Sequence, residues 1–444
     1  MGIVTPHDGT AEDEARLAAV AARLDAIINW ERMKRTAATR FSLEPARDLC
    51  ARLGDPQRGL RVVHVAGTKG KGSTASLIAA GLRAAGLAEA LYTSPHVVHL
   101  RERLRLGGRD VGAGPLSRAL EAALDAREAA LGEGAPAGQS TWFDVVTVAA
   151  FLAAREAGAR WIVAECGLGG RLDSTNVLDG EVCVITNIEL EHTAVLGATR
   201  ERIAFEKAGI LKPGSSLVTG VSAEDGAGRV IDARARELHV PVLRPLAGRW
   251  DAASIAERNR ALAAAVLDLL GARGVRGGGG LALAGDGLTP RVEAEARLPG
   301  RLEWFSKDDV PVVIDGGHVP ASVRDVLRDL EAARGRSTPP VVILGLARDK
   351  DLGGILKAVG AVTDRVVCTS VGSDLHFTPP EIEAAARRAG LEAETAPNPR
   401  VALEHALRLA RARPGEGWVV ATGSLYLAGA LRSHLTNDDS PRRC

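Results

Sequence analysis

The segment Val62-Val63-His64-Val65-Ala66-Gly67-Thr68-Lys69-Gly70-Lys71-Gly72-Ser73-Thr74 concentrates residues able to do chemistry. A β-branched run enters a glycine-rich turn, and a helical pattern over 75–85 leaves it. Glycines let backbone N–H groups converge on phosphate oxygens, and a helix N-terminus adds partial positive charge. Lys71 is placed to neutralise β- and γ-phosphates, with Ser73 or Thr74 available to a metal ion. The spacing is G-x-x-G-K-G-S. The longer G-x-x-x-x-G-K-[ST] loop is not satisfied, because position 65 is Val and Gly72 precedes the hydroxyl. Two lysines and two hydroxyls crowd this one turn, which a ligand-free turn does not require.

Two further groups sit where strands should end. Glu165 closes the apolar run 161–164 and is followed by Gly167-Leu168-Gly169-Gly170-Arg171-Leu172-Asp173-Ser174-Thr175-Asn176. His192 follows the run 182–188, inside Glu189-Leu190-Glu191-His192-Thr193. Open parallel sheets bind ligands beyond the carboxyl ends of their strands, so both side chains are expected at the crevice that holds Lys71. Magnesium prefers oxygen ligands and keeps waters and substrate phosphates, which suits Glu165. His192 is a softer ligand, and spacing alone leaves it between metal binding and hydrogen bonding. Lys207, taken by itself, is a cation near the end of a helix.

The elements that must position these groups read as α/β. Short β-branched runs at 61–66, 160–165, 181–188 and 216–220 alternate with Ala/Leu-rich helical patterns. A second series follows at 310–315, 340–345, 365–370 and 417–422. Continuous apolar runs between helices predict parallel strands covered on both faces. The expected architecture is a phosphate-loop-containing, doubly wound ATPase domain followed by a smaller Rossmann-like α/β domain. The glycine-rich stretch 271–289 predicts a flexible boundary near 287, giving domains 1–287 and 288–444. Residues 1–15 and 436–444 are expected to be unstructured.

Composition bounds the partners. The 444 residues carry a formal net charge of +1 and only 3% aromatic residues. Neither a global positive field nor a base-stacking platform argues for nucleic acid. The five cysteines are scattered and include no C-x-x-C, so neither a disulfide framework nor a zinc site is expected. No apolar h-region or membrane-length apolar run is present, which makes the cytoplasm the expected compartment.

These residues, in this order, resemble the folylpolyglutamate synthase and dihydrofolate synthase family of the Mur-ligase superfamily. The resemblance runs from about Phe41 to Arg432. It rests on Leu53-Gly54-Asp55-Pro56-Gln57, the loop 67–73, Thr93-Ser94-Pro95-His96 with Glu102-Arg103, and Thr141-Trp142-Phe143-Asp144. It continues through 165–176, Glu191-His192-Thr193, Leu196-Gly197 and Glu206-Lys207-Ala208-Gly209-Ile210. It ends with Pro299-Gly300-Arg301-Leu302-Glu303, Asp315-Gly316-Gly317-His318, Asp349-Lys350-Asp351 and Thr422-Gly423-Ser424-Leu425-Tyr426.

The resemblance implies an ATP- and magnesium-dependent ligase that adds L-glutamate to dihydropteroate or a folate through an acyl phosphate. It implies a monomer without nucleic-acid or membrane partners. Gly67, Thr68, Gly70, Lys71, Gly72, Ser73, Thr74, Asn259, Arg301 and Asp315 would contact the nucleotide. Ser94, Glu165 and His192 would ligate magnesium. Lys71, Lys207 and His318 would be catalytic, with Lys207 carbamylated to hold a second metal. Ser94 to Arg103 and Thr141 to Asp144 would shape the pterin region. The chain departs from the family where Glu191 replaces Asp before His192, and where Gly317 and Val319 replace Ala and Asn around His318. Ile255-Ala256 stands where His-Gln is usual. These departures touch the nucleotide pocket. Two competing readings are a ligase of the same superfamily acting on a cell-wall or cofactor carboxylate, and a paralogue that binds nucleotide without turnover.

Overall fold

The computed structural model describes residues 9–31, 33, 41–334, 338–372 and 374–436. The chain divides into two compact units, Met1–Ala296 and Arg297–Cys444.

The first unit is built on an eight-stranded sheet in the order β4-β3-β2-β5-β1-β6-β7-β8. Its strands are β1 (Arg61–Ala66), β2 (Glu89–Tyr92), β3 (Leu104–Leu106), β4 (Arg109–Asp110), β5 (Trp161–Glu165), β6 (Val182–Ile185), β7 (Ser216–Thr219) and β8 (Val242–Leu243). β1 lies between β5 and β6, parallel to both. Val65 is in register with Glu165 on one side and with Val184 on the other. That register brings three strand ends level, so the turn after β1, Glu165 and the segment after β6 share one carboxyl edge. β1, β5 and β6 are apolar and almost wholly buried. Covered on both faces, they have no polar alternation, as parallel strands should not.

The second unit holds six strands, β9 (Glu303–Lys307), β10 (Val310–Ile314), β11 (Val341–Leu344), β12 (Arg365–Cys368), β13 (Glu392–Thr395) and β14 (Val419–Thr422). Their order is β13-β12-β11-β14-β10-β9, parallel except for β9, which pairs antiparallel with β10. Among the described residues, no helix is long and apolar enough to cross a membrane.

Two expectations are corrected. Residues 11–15 are not an unstructured tail, because Ala11–Asp25 is a helix. A capping box between Thr10 and Asp13 starts it, and Leu17, Val20 and Leu24 bury its inner face. Residues 1–8 and 437–444 lie outside the described residues. Nor is the stretch around 271–287 a free linker. Arg276 and Ala282 form a β-bridge, Gly278 N–H donates to the Ala85 carbonyl (2.8 Å), and Gly285 N–H donates to Asp268 (2.7 Å). The first unit then continues through the helix Pro290–Glu295 to Ala296. The Ser76 hydroxyl donates to the Ala296 carbonyl (2.6 Å), and Arg83 pairs with Glu295 (3.5 Å). The last turn of this unit is thus tied to the helix Lys71–Ala84.

The turn after β1 tolerates little change. Gly67 has φ +145°, and a Cβ there would lie 1.8 Å from the Thr186 hydroxyl oxygen and 3.0 Å from the Thr186 backbone nitrogen. Gly67→Ala is therefore expected to destabilise the protein by about 2 kcal/mol or more, since backbone must move to admit the methyl. Denaturant unfolding checks this, and a variant as stable as the parent would show that the turn is not held as described.

Candidate active site at the carboxyl edge of the first sheet

Gly70 takes a left-handed conformation (φ +77°) and starts the helix Lys71–Ala84. Only glycine adopts this backbone at little cost. The turn is braced from the segment after β6. The Thr68 N–H donates to the Asn187 carbonyl (3.0 Å) and the Lys69 N–H to the Asn187 side chain (2.8 Å). The Thr186 hydroxyl donates to the Lys69 carbonyl (2.5 Å), and the Glu189 N–H to the Thr68 hydroxyl (3.0 Å). Asn259 enters from the helix Ile255–Ala272 and accepts from the Thr74 hydroxyl (3.3 Å). A Cβ on Gly70 would stand 2.5 Å from its side-chain oxygen. Asn259 thus packs against the loop. Thr74 gives its proton to Asn259, while Ser73 is only half-buried.

Glu165, 5% exposed, ends β5 beside this turn. One carboxylate oxygen accepts the Ser94 N–H (3.0 Å), and the other lies 4.0 Å from the Lys71 ammonium. Lys71 also donates to the Thr68 carbonyl (3.3 Å). Lys71, Glu165 and Ser94 therefore form one contiguous group. The Ser94–Pro95 peptide is cis.

His192 takes a left-handed backbone (φ +51°) at the start of the short helix Thr193–Leu196. Its Nε2 is 4.0 Å from a Glu191 carboxylate oxygen, and that same oxygen pairs with Lys69 (3.0 Å). Glu191, noted in the sequence only as a departure from the family, is thus in contact with the phosphate turn. Its carboxylate ties the phosphate turn to the loop bearing His192.

Lys207, on the helix Arg200–Ala208, does not point into solvent. It is 5% exposed and donates to the Gly67 carbonyl (2.6 Å). Burial lowers its pKa to about 7, and the Lys71 and Lys69 cations push the same way against the opposing Glu191. A lysine amine ordinarily titrates near ~10.4, so this one is neutral over a pH range where other lysines are charged.

Past the carboxyl end of β2 the residues of the expected pterin region pack tightly. Arg103 is buried, pairs with Glu31 (2.6 Å), donates to His96 Nδ1 (2.9 Å) and stacks over Trp142 at 4.6 Å. Glu102 accepts the N–H groups of Val97, Val98 and His99 at 2.7, 3.0 and 3.0 Å. Thr141 and Asp144 form the capping box of the helix Trp142–Glu156.

In the second unit, Asp315 follows β10 and accepts the N–H groups of Gly317 (2.7 Å) and Leu302 (3.0 Å). His318 is bonded through Nδ1 to the Gly316 carbonyl (2.9 Å), so that nitrogen carries the proton. Arg301 lies over Gly316, where a Cβ would stand 2.8 Å from its guanidinium. Arg301, Asp315 and His318 are thus gathered at one strand end. A Cβ on Gly317 would stand 2.9 Å from an Asp315 carboxylate oxygen, so glycine at this position relieves crowding on that group.

A glycine-rich turn on a helix N-terminus, with a lysine and a carboxylate beside it, is an arrangement suited to an anionic ligand, and the domain matches give the class as Mur-type ligase. Residues 65–244 match the Mur ligase middle domain, and residues 300–425 match the Mur ligase glutamate ligase domain. A folylpolyglutamate synthase of Lacticaseibacillus casei is 32% identical over 415 residues, covering 87% of this chain and 93% of that one. A probable bifunctional folylpolyglutamate synthase/dihydropteroate synthase of Haloferax volcanii is 34% identical over 432 residues, covering 91% of this chain. The chain spans half (50%) of that relative's length. The structure of Mycobacterium tuberculosis folylpolyglutamate synthase complexed with ADP superposes with a TM-score of 0.81 at 28% identity, covering 97% of this chain and 100% of that one. The chain belongs to the folylpolyglutamate synthase/dihydrofolate synthase family.

The state of Lys207 is open to measurement. Between about pH 7 and its unfolded value near ~10.4, the unfolded chain binds one proton more than the folded chain at this residue. Stability should therefore rise with pH across that window, by up to about 1 kcal/mol per unit, relative to Lys207→Met. Below pH 7 the amine is charged in both states and the slope vanishes. Unfolding in CO2-free buffer tests this, and parallel curves for parent and variant would contradict a buried neutral amine.

Proposed function

We propose that this chain is a cytoplasmic, monomeric ligase that joins L-glutamate to dihydropteroate or a reduced folate, with ATP cleaved to ADP and phosphate. The observation that carries the reading is the convergence of Lys71, Glu165, Ser94 and Lys207 on the turn after β1. The relatives support it. The tuberculosis enzyme's structure holds ADP. A bifunctional folylpolyglutamate synthase/dihydrofolate synthase with Mn, AMPPNP and L-glutamate bound superposes with a TM-score of 0.76 at 25% identity, covering 94% of this chain.

In this reading a folate carboxylate oxygen attacks the γ-phosphorus, and the bond to the ADP oxygen breaks. The glutamate amine then attacks the acyl carbon, loses a proton, and phosphate departs with the C–O bonding pair. The chain's task is mainly to place reactants and stabilise phosphoryl charge. Lys71 and the N-terminal amides of its helix face the phosphates, with Thr68, Gly70, Gly72 and Ser73 completing the cradle. Asn259, bonded to Thr74 in the same unit, contacts the nucleotide.

The donor set fits magnesium, since the Glu165 carboxylate and the Ser94 and Ser73 hydroxyls are hard oxygen donors. His192 is the softer fourth candidate. Magnesium bound there would neutralise charge on the phosphate oxygens. Lys207, as a neutral amine, can take up CO2 and become a carbamate. That change releases one proton, replaces a neutral amine with an anion beside Gly67, and would supply oxygen donors for a second ion.

Lys71→Ala is expected to lower kcat by about 100- to 1,000-fold, or roughly 3–4 kcal/mol of transition-state stabilisation. ADP release is measured with dihydropteroate, tetrahydrofolate or a muramyl acceptor, each with glutamate. Turnover with the muramyl acceptor alone would sink the folate reading, and a wild-type rate in the variant would sink the phosphate-loop assignment.

A further inference from the structure

Beneath the carboxyl edge lies a chain of buried polar groups that the proposed reaction does not use. The Asp173 carboxylate accepts N–H groups from Leu168 (2.6 Å), Gly167 and Thr175 (3.1 Å), and the Thr175 hydroxyl (2.5 Å). Since Thr175 gives its proton to Asp173, its oxygen must accept from His64, whose Nε2 lies 2.8 Å away. That fixes the tautomer with the proton on Nε2. The Cys166 sulfur sits 3.1 Å from the same nitrogen. His64 is fully buried, and its Nδ1 has no hydrogen-bond partner among the described residues. Burial pushes its pKa down to about 3, so the ring stays neutral and carries no proton traffic near pH 7. An apolar residue there would leave no nitrogen unpaired, so what the histidine contributes is the bond from Nε2.

That bond secures a wedge. Residues 166–171 leave the end of β5 immediately after Glu165 and run to the helix carrying Lys207. The Arg171 N–H donates to the Glu206 carbonyl (2.7 Å). A Cβ on Gly170 would come within 2.9 Å of the Glu206 carbonyl oxygen and 3.0 Å of that of Lys207. Asn176 bridges the carbonyls of Arg171 (2.9 Å) and Gly209 (3.1 Å). One face of the loop is pinned by Asp173 and the other rests on the Lys207 helix.

We infer that Asp173, Thr175 and His64 are positioning residues, which fix the loop 166–171 and through it the spacing between the Glu165 carboxylate and the Lys207 side chain. The inference rests on the reading of Glu165 as a metal-holding group. Residues behind metal ligands characteristically change metal affinity by 10- to 100-fold when removed.

The test uses the full chain with Mn2+ and ADP as probes. Mn2+ binding to the ADP complex is followed by electron paramagnetic resonance, and ADP binding is measured separately in EDTA. Thr175→Val and His64→Ala should weaken Mn2+ binding about tenfold or more, and leave ADP affinity in EDTA within about threefold of the parent. Thr175→Ser keeps the hydroxyl and His64→Gln keeps an N–H near the Nε2 position, so both should restore Mn2+ binding. If His64→Ala does not fold, Asp173→Asn, which keeps the side-chain shape, replaces it and should show the same loss. Parent-like Mn2+ binding in Thr175→Val would overturn the assignment. So would an equal loss of ADP affinity in EDTA, or equal damage in Thr175→Ser. A parent protein that binds Mn2+ and ADP but ligates no glutamate would refute the proposed function and leave this result standing.

Discussion

The carboxyl edge of the first sheet depends on the turn after β1 being held from outside itself. The polar groups of such a turn must be satisfied. The segment after β6 meets that need, with Thr186 and Asn187 holding Lys69 and Thr68. Lys207 adds a third tie through the Gly67 carbonyl. The turn is therefore shaped from outside, before any ligand is present. Preorganisation of this kind spares the reaction the cost of ordering the loop.

Charge around the turn is balanced on the same principle. Lys69, Lys71 and Lys207 are three amines in one neighbourhood, and like charges so placed repel. Glu191 pairs with Lys69, Glu165 lies beside Lys71, and Lys207 answers by shedding its proton readily. The carboxylates beside these amines limit their mutual repulsion.

Much of the architecture was legible in the sequence. β1, β5, β6, β7, β10, β11, β12 and β14 are continuous apolar runs, and such runs are hard to mistake. β2 was missed because Glu89 opens it and only three residues follow. β13 was missed because Glu392 and Glu394 alternate with Ala393 and Thr395, as an edge strand allows. Lys71 and Glu165 lie together at the strand ends their positions suggested, and Asn259, placed only by the resemblance, bonds to Thr74. The burial of Lys207 was not readable, since its helix is largely polar and the burial comes from residues 140 positions away. The roles of Thr186, Asn187 and Asp173 were hidden for a related reason. The partners of Thr186 and Asn187 are set by strand order, which no local pattern encodes, whereas Asp173 bonds within its own loop. The glycine-rich stretch misled because it packs against the phosphate-loop helix instead of linking units.

The ties from Ser76 to Ala296 and from Arg83 to Glu295 bear on where the polypeptide can be divided. Severing it within the glycine-rich stretch would strip the helix Pro290–Glu295 from its seat. Ser76, only 4% exposed, would then lose its acceptor inside the protein. The wound would open on the helix that starts at Lys71. The natural seam lies past Ala296, and halves parted there would each keep their own interior intact.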